Sequence, residues 1–340
     1  MSLSRFPTSR MERENPNARN CGLRSRDINQ AAKNALYEKF NAGQIGFKTV
    51  ADQTTRFTQF STFIKDHHGV KDMRGITKEH VTQYAQELDS KIDNGSISIK
   101  TAHEYLSAVN SVLSQAIGDS SLRVTASEAG LPNRSGITTE NRAISQEQHN
   151  KITSQLSDRL TAISEMQRSL GLRFEEACKG NPAAMLKEAI IKQSISVTDG
   201  TKGGQARTIP IVSQNQLDAL QNASVIQGNH HSMIPANQSY IQFQSQSYRE
   251  FGKLDYKSHG ERHAYAQNSY TNHMQQQTAV AGIKSVVESG YKHGSSHHQY
   301  IANKVGCTVE QAKDFDSAAR LSVAEELGHH RTDITNAYLG

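Results

Sequence analysis

Seven apolar side chains between Ala102 and Ala116 recur at the spacing of one face of an α-helix, and this stripe constrains the chain more than any other feature. They are Ala102, Tyr105, Leu106, Val109, Val112, Leu113 and Ala116, and Gly118 follows where a helix needs a left-handed stop. A helix striped in this way is stable only when other helices cover its apolar face. Such partners lie close by in the chain. Phe57, Phe60, Phe63 and Ile64 share one face of a helix ending near Gly69. Thr77 is an N-cap for another, striped by Val81, Tyr84, Ala85, Leu88 and Ile92, and Asn94-Gly95 breaks the chain after it. Residues 31–120 therefore read as a small helical bundle.

The pattern changes beyond it. Residues 121–142 are polar, contain Gly130, Pro132 and Gly136, and read as a linker. Ser145 with Gln148 forms a capping box that opens a second region, 143–340. Within it, "IIKQSISV" and "ARTIPIV" are rich in β-branched residues and flank the glycine-containing "TDGTKGGQ", which predicts a hairpin between Ile190 and Val212. Ser213 with Gln216 caps a further helix, and the remainder reads as helix with polar loops. The expected class is mainly α with a small β-sheet.

Composition narrows the setting. The hydrophobic share is 35%, the mean hydropathy is −0.65, and no apolar run has the length of a membrane span. The N-terminus has arginines but no apolar core and no cleavage site of a secretory signal. Cys21, Cys178 and Cys307 are odd in number and far apart, which argues against a disulfide framework or a zinc site. A cytoplasmic protein is expected. The net charge is +5 and the pI about 9.0, compatible with a polyanionic partner. Residues 1–30 hold six arginines (Arg5, Arg10, Arg13, Arg19, Arg24, Arg26) against Glu12, Glu14 and Asp27, with few large apolar residues. This segment is expected to lack packed structure, as either a solvated tail or a basic arm along phosphates.

Four segments of the second region carry chemistry: "LGLRFEEA" around Arg173, "TKGGQARTIPI" around Lys202, "HGERH" with His259 and Arg262, and "ELGHHRTDITNAYLG" with His329 and Tyr338. Breaking a phosphodiester without a metal needs fixed cations around the phosphate, and arginine's planar fork suits its oxygens. It needs a nucleophile, which a tyrosine can be when a neighbour helps its hydroxyl lose a proton. It also needs a proton donor for the departing oxygen, which lysine or histidine can supply. Two Arg, one Lys, two His and one Tyr make such a set. Each motif alone is weak: Gly-Leu-Arg opens helices in many proteins, and His-x-x-Arg arises easily among 15 histidines. Their order and spacing together carry the signal.

In that order the chain resembles the tyrosine recombinase (phage integrase) family. Gly171-Leu172-Arg173, a lysine in a hairpin at Lys202, His259-Gly260-Glu261-Arg262, Leu327-Gly328-His329, and a tyrosine nine positions on at Tyr338 match the family pattern in turn. Glu176 stands at the family's acidic position. The helical first region resembles the family's core-binding domain. The resemblance implies two domains forming a clamp around DNA, with cleavage and rejoining through a 3′-phosphotyrosyl bond to Tyr338. Arg173, Arg262 and His329 would hold the phosphate oxygens, Lys202 would protonate the leaving oxygen, and His259 would assist proton transfer at the tyrosine. Glu176 would buttress the site. The partners implied are double-stranded DNA at specific sites, further copies forming a tetramer on two sites, and DNA-bending or directionality helper proteins. No cofactor and no metal are expected. Lys100 and Arg207 are candidate phosphate contacts. A type IB topoisomerase shares this chemistry, and a catalytically silent DNA-binding or excision accessory protein is a rival of another class.

Two features depart from the family pattern. His329 follows Arg262 by 67 positions, so residues 271–315 look like an insertion. Only Leu339 and Gly340 follow Tyr338 here, where relatives often carry a tail that docks on a neighbour. The insertion, with Ile283, Val286, Val287, Tyr291, Tyr300, Ile301 and Val305, is the candidate substitute interface. His293, His297 and His298 within it read as a solvated loop.

Overall fold

The computed structural model describes residues 13–329 and 331–340, and it divides into two compact units, 1–135 and 136–340. The first is a bundle of α1 (Ile28–Asn41), α2 (Phe47–His68), α3 (Lys78–Asp93) and α4 (Ile99–Ile117). Local chemistry sets their ends. Asp27, Thr77 and Ser98 each accept an orphan N–H at a helix start, and Gly69 and Gly118 take left-handed conformations at two helix ends. The stripes face inward: Phe57, Phe60, Ile64, Val81, Ala85, Val109 and Val112 are all fully buried in one core. A large apolar side chain so buried contributes about 1.5–3 kcal/mol.

Residues 13–30 correct the expectation of an unpacked segment. The Arg13 side chain is buried; it forms a two-pronged ion pair with Glu38 at 3.0 and 2.7 Å and donates to the carbonyls of Cys21, Gln115 and Ala116. Asn20, Cys21 and Leu23 are buried as well. The arginine seals the end of α4 by satisfying its orphan carbonyls. Arg5 and Arg10 lie outside the described residues. The expected linker is also divided: Val124 and Leu131 are buried in the first core, whereas the Thr138 amide donates to Asn336 O in the second unit.

In chain order the second unit holds α5 (Gln146–Thr153), α6 (Asp158–Leu170), α7 (Phe174–Lys179), α8 (Pro182–Lys192), β1 (Ser194–Val197), β2 (Arg207–Pro210), α9 (Gln214–Gln227), α10 (Tyr240–Lys253), α11 (His259–Thr278), α12 (Val286–Ser289), α13 (Ser295–Val305), α14 (Val309–Glu326) and α15 (Asn336–Leu339). β1 and β2 pair antiparallel, from Ser194 opposite Pro210 to Val197 opposite Arg207. The hairpin is shorter than its sequence suggests. Ile190 and Ile191 end α8 and stay exposed, and Gln193 in the left-handed region turns the chain into β1. No helix among the described residues is long and apolar enough to cross a membrane.

The insertion packs against its own unit. Ile283, Val286, Ile301 and Ala302 are buried, and Ile283, Ile301 and Ala302 share a core with Tyr270 and Met274. The apolar residues expected to face a neighbour are thus largely spent internally; Tyr291 remains exposed. His297 corrects the solvated-loop reading. It lies buried on α13, its Nε2 is 3.0 Å from Lys284 O, and its Nδ1 is 3.7 Å from Asp316.

Candidate active site

The second unit brings Arg173, His259, Arg262, His329 and Tyr338 together from four stretches of chain. Arg173 is the N-cap of α7, placed there by the turn at Gly171. Gly171 has φ +63°, and a β-carbon there would lie 2.4 Å from the Tyr265 ring, so only glycine fits. His259, Arg262 and His263 fall at i, i+3 and i+4 in the first turns of α11 and so share a face. His329 follows the end of α14, and Tyr338 lies on α15.

One helix end organises the arginines. Arg207 Nε donates to Glu326 O at 2.7 Å, while Arg262 Nη2 and Arg173 Nη2 both donate to Leu327 O, at 2.6 and 3.4 Å. The C-terminus of α14 carries partial negative charge and unpaired carbonyls, which three guanidinium groups complement. Glu176, fully buried, supplies the full countercharge. It meets Arg173 Nη1 at 2.6 Å and both terminal nitrogens of Arg207 at 2.7 Å, and lies 3.8 Å from Arg262. Burial works against the ionised carboxyl, yet these arginines hold its pKa down at about 2.

This corrects the reading of Arg207 as a phosphate contact. Its guanidinium is buried, and its three nitrogens are committed to Glu176 and the Glu326 carbonyl. The other such candidate, Lys100, is exposed on α4 and lies 3.9 Å from Glu104.

Around Tyr338 the contacts are close. Its hydroxyl accepts from Arg262 Nε at 3.3 Å. Arg262 is fully buried and also donates to Gly171 O; burial, with Arg173 and Arg207 nearby, lowers its pKa to about 10, so it stays charged. The rings of His263, His259 and His329 lie 4.7, 5.9 and 6.4 Å from the Tyr338 ring. All three histidines are held at about pKa 4, chiefly because the protein withholds water from the charged ring, and nearby arginines add to this for each of them. They are neutral at ordinary pH. His329 Nε2 faces Arg173 Nη2 at 3.4 Å, so that nitrogen accepts. Lys202 stands apart on the exposed hairpin loop, near enough for its charge to press on His329.

Two contributors escape a motif reading. His263 is buried beside the tyrosine, and its Nδ1 has no partner among the described residues. The helical spacing from His259 was the signal that could have found it. Glu261, fully buried, accepts from Arg168 at 2.6 Å, His149 at 2.9 Å and Tyr256 at 3.1 Å, which anchors the start of α11.

Residues 131–268 match the integrase family model. That stretch of the chain is similar to the integrase family. The matched stretch includes Arg173, Lys202, His259 and Arg262 and stops short of His329 and Tyr338. The chain is similar to a lambda integrase dimer bound to a COC′ core site, at 15% identity and TM-score 0.47 over 83% of this chain and 75% of that one. It is similar to the Tn1549 transposon integrase in complex with transposon right-end DNA, at 11% identity and TM-score 0.48 over 85% and 97%. The XerH recombinase bound to palindromic difH is similar at 13% identity and TM-score 0.45 over 86% and 83%. No curated protein sequence matches the chain.

Proposed function

We propose that the chain is a site-specific tyrosine recombinase, an enzyme that cuts and rejoins DNA strands, and that this recombinase cuts by attack of the Tyr338 hydroxyl on the scissile phosphate. The observation that carries the reading is the hydrogen bond from buried, charged Arg262 to that hydroxyl. A cation there stabilises the charge that grows between the attacking oxygen and the phosphate. The Tyr338 oxygen bonds to phosphorus, the P–O5′ bond breaks, and the 5′ oxygen leaves with a proton from Lys202. The tyrosine proton passes to a neutral imidazole, with His259 the candidate. A free 5′-hydroxyl then reverses the step on a new strand. Arg173, whose side chain is 21% exposed, is the arginine that faces an incoming phosphate, with Arg262 and His329 beside it. Glu176 holds these cations in register.

The same proposal includes a tetramer on two duplex sites, a mobile element integrated or excised, helper proteins that bend DNA or set direction, and action in the cytoplasm on the nucleoid. The division of labour is part of it too: residues 31–120 hold DNA and 143–340 do chemistry.

Trapping tests the chemistry. On a duplex nicked near the cleavage point, a denaturing gel should show a covalent adduct that digestion and mass spectrometry map to Tyr338. The adduct should form in excess EDTA, because side chains already supply the positive charge. Loss in EDTA with recovery in magnesium would overturn this mechanism.

Lys202→Ala should slow adduct formation by about 10²–10⁴-fold, the usual contribution of a general acid. A 5′-bridging phosphorothiolate, which leaves without a proton, should recover most of that rate. A defect of equal size on both substrates would assign Lys202 to phosphate binding instead.

A further inference from the structure

The short helix that carries Tyr338 is held by a buried cluster around α14 that no recombinase motif includes. Arg320 Nη1 donates to the Asn336 side chain at 3.0 Å, and Arg320 Nη2 donates to Gly340 O at 2.8 Å. One guanidinium therefore spans both ends of α15. Asp316 locks it, accepting from Arg320 Nε at 2.9 Å and from the Tyr270 hydroxyl at 2.6 Å, with His297 and His298 at 3.7 and 3.6 Å. His293 Nδ1 lies 3.0 Å from Gly340 O. The Gly340 backbone also sits tight against Val286 and Val287, where a β-carbon would come within 3.0 and 2.8 Å. All of these except Tyr270, Asn336 and Gly340 come from the insertion or the first turns of chain after it.

We propose that Arg320, locked by Asp316, is a positioning residue for the nucleophile: it grips both ends of α15 and fixes where the Tyr338 hydroxyl lies. The physical case is one of leverage. α15 is a single turn, too short to hold its own geometry. Attack on phosphorus requires an oxygen placed to within a fraction of an ångström, and a misplacement of about 1 Å can cost on the order of 10²-fold in rate. Arginine suits the task because its three nitrogens hold their donors apart at fixed positions, whereas an ammonium's three donors all radiate from one atom. The insertion thus acts within its own chain as a floor under the nucleophile. This inference rests on Tyr338 being the attacking group.

The test uses the full-length recombinase in single-turnover adduct formation on a nicked site, with site binding measured in parallel by gel shift. Asn336→Ala removes one grip and leaves the Arg320–Asp316 pair intact. Gly340→Ala pushes the other end of α15 off Val287. Each should lower the adduct rate by about 10–100-fold while site affinity stays within about twofold. Asn336→Asp, which restores an acceptor for Arg320, should recover the rate; a merely structural asparagine would not be rescued. The Asn336→Ala defect should keep its size on the 5′-phosphorothiolate, since a better leaving group does not re-aim a nucleophile. Arg320→Lys, which keeps the charge beside Asp316, should show the same defect and serves if Asn336→Ala does not fold. Adduct rates within twofold of wild type in Asn336→Ala and Gly340→Ala, or no rescue by Asn336→Asp, would overturn the proposal. Should wild type itself form no adduct at Tyr338, the proposed function fails and this inference falls with it, an outcome told apart from the others by the wild-type lane alone.

Discussion

Tyr338→Phe is expected to form no covalent adduct while still binding its site. The substitution removes a single oxygen from a side chain that is 7% exposed, and it leaves the ring against His263 and His259 unchanged. The structural penalty is confined to Arg262 Nε, which loses its acceptor at 3.3 Å. An unmet buried donor costs on the order of 1–3 kcal/mol, too little to unfold a typical domain. The chemical penalty is of another size. Loss of a nucleophile from a site that keeps its other groups lowers turnover by roughly 10⁴-fold or more. A denaturing gel on which Tyr338→Phe still shifts radiolabelled DNA into a protein band would remove Tyr338 from the mechanism.

Glu176→Gln should be nearly as damaging, by a different route. Glu176 is the shared carboxylate of Arg173, Arg207 and Arg262, with no solvent to replace it. Removing one partner from a buried ion pair costs about 3–5 kcal/mol, because the remaining charges stay buried without compensation. The midpoint of urea unfolding should fall accordingly. Adduct formation should drop by more than 10²-fold as the arginines move apart. The pH dependence gives a second readout. The folded Glu176 pKa lies near 2, below that of the unfolded chain, so its stabilisation is complete above the ordinary carboxylate range. It is lost as pH falls through the folded pKa. The wild type should therefore lose stability over that acid range, and Glu176→Gln should lose less. Equal acid sensitivity in the two proteins would mean that Glu176 carries no such linkage.

The sequence was most legible where periodicity or local capping decides structure. The stripe from Ala102 to Ala116 and the caps at Thr77, Ser145 and Ser213 depend on residues a few positions apart, and each stands where its pattern indicates. The motifs likewise name His259, Arg262 and His329, which lie near Tyr338, whereas Lys202 stands apart on the hairpin loop. What could not be read depends on partners far away in the chain. Arg207 looked like one more surface cation because nothing nearby in sequence shows that Glu176 and the end of α14 will enclose it. The packing of Arg13 is invisible locally for the same reason, since its partner Glu38 and the carbonyls of Gln115 and Ala116 come from other helices. Ile190 and Ile191 favour a strand by type, yet α8 continues through them before the chain turns. The insertion's apolar residues suggested an outer surface only while their inner partners, Tyr270 and Met274, were out of view.

The run of α14 has a practical consequence for anyone re-engineering this enzyme. The helix starts at exposed Val309, passes the Arg320 grip, and ends on the carbonyls that three arginines share. Its 18 residues make a rod about 27 Å long. A tag or reporter spliced in near Thr308 would pull on that rod and reach the catalytic cations at its far end. The same splice point is where a ligand-gated or light-gated module could be coupled to the far end of the rod, with no change to any side chain around Tyr338.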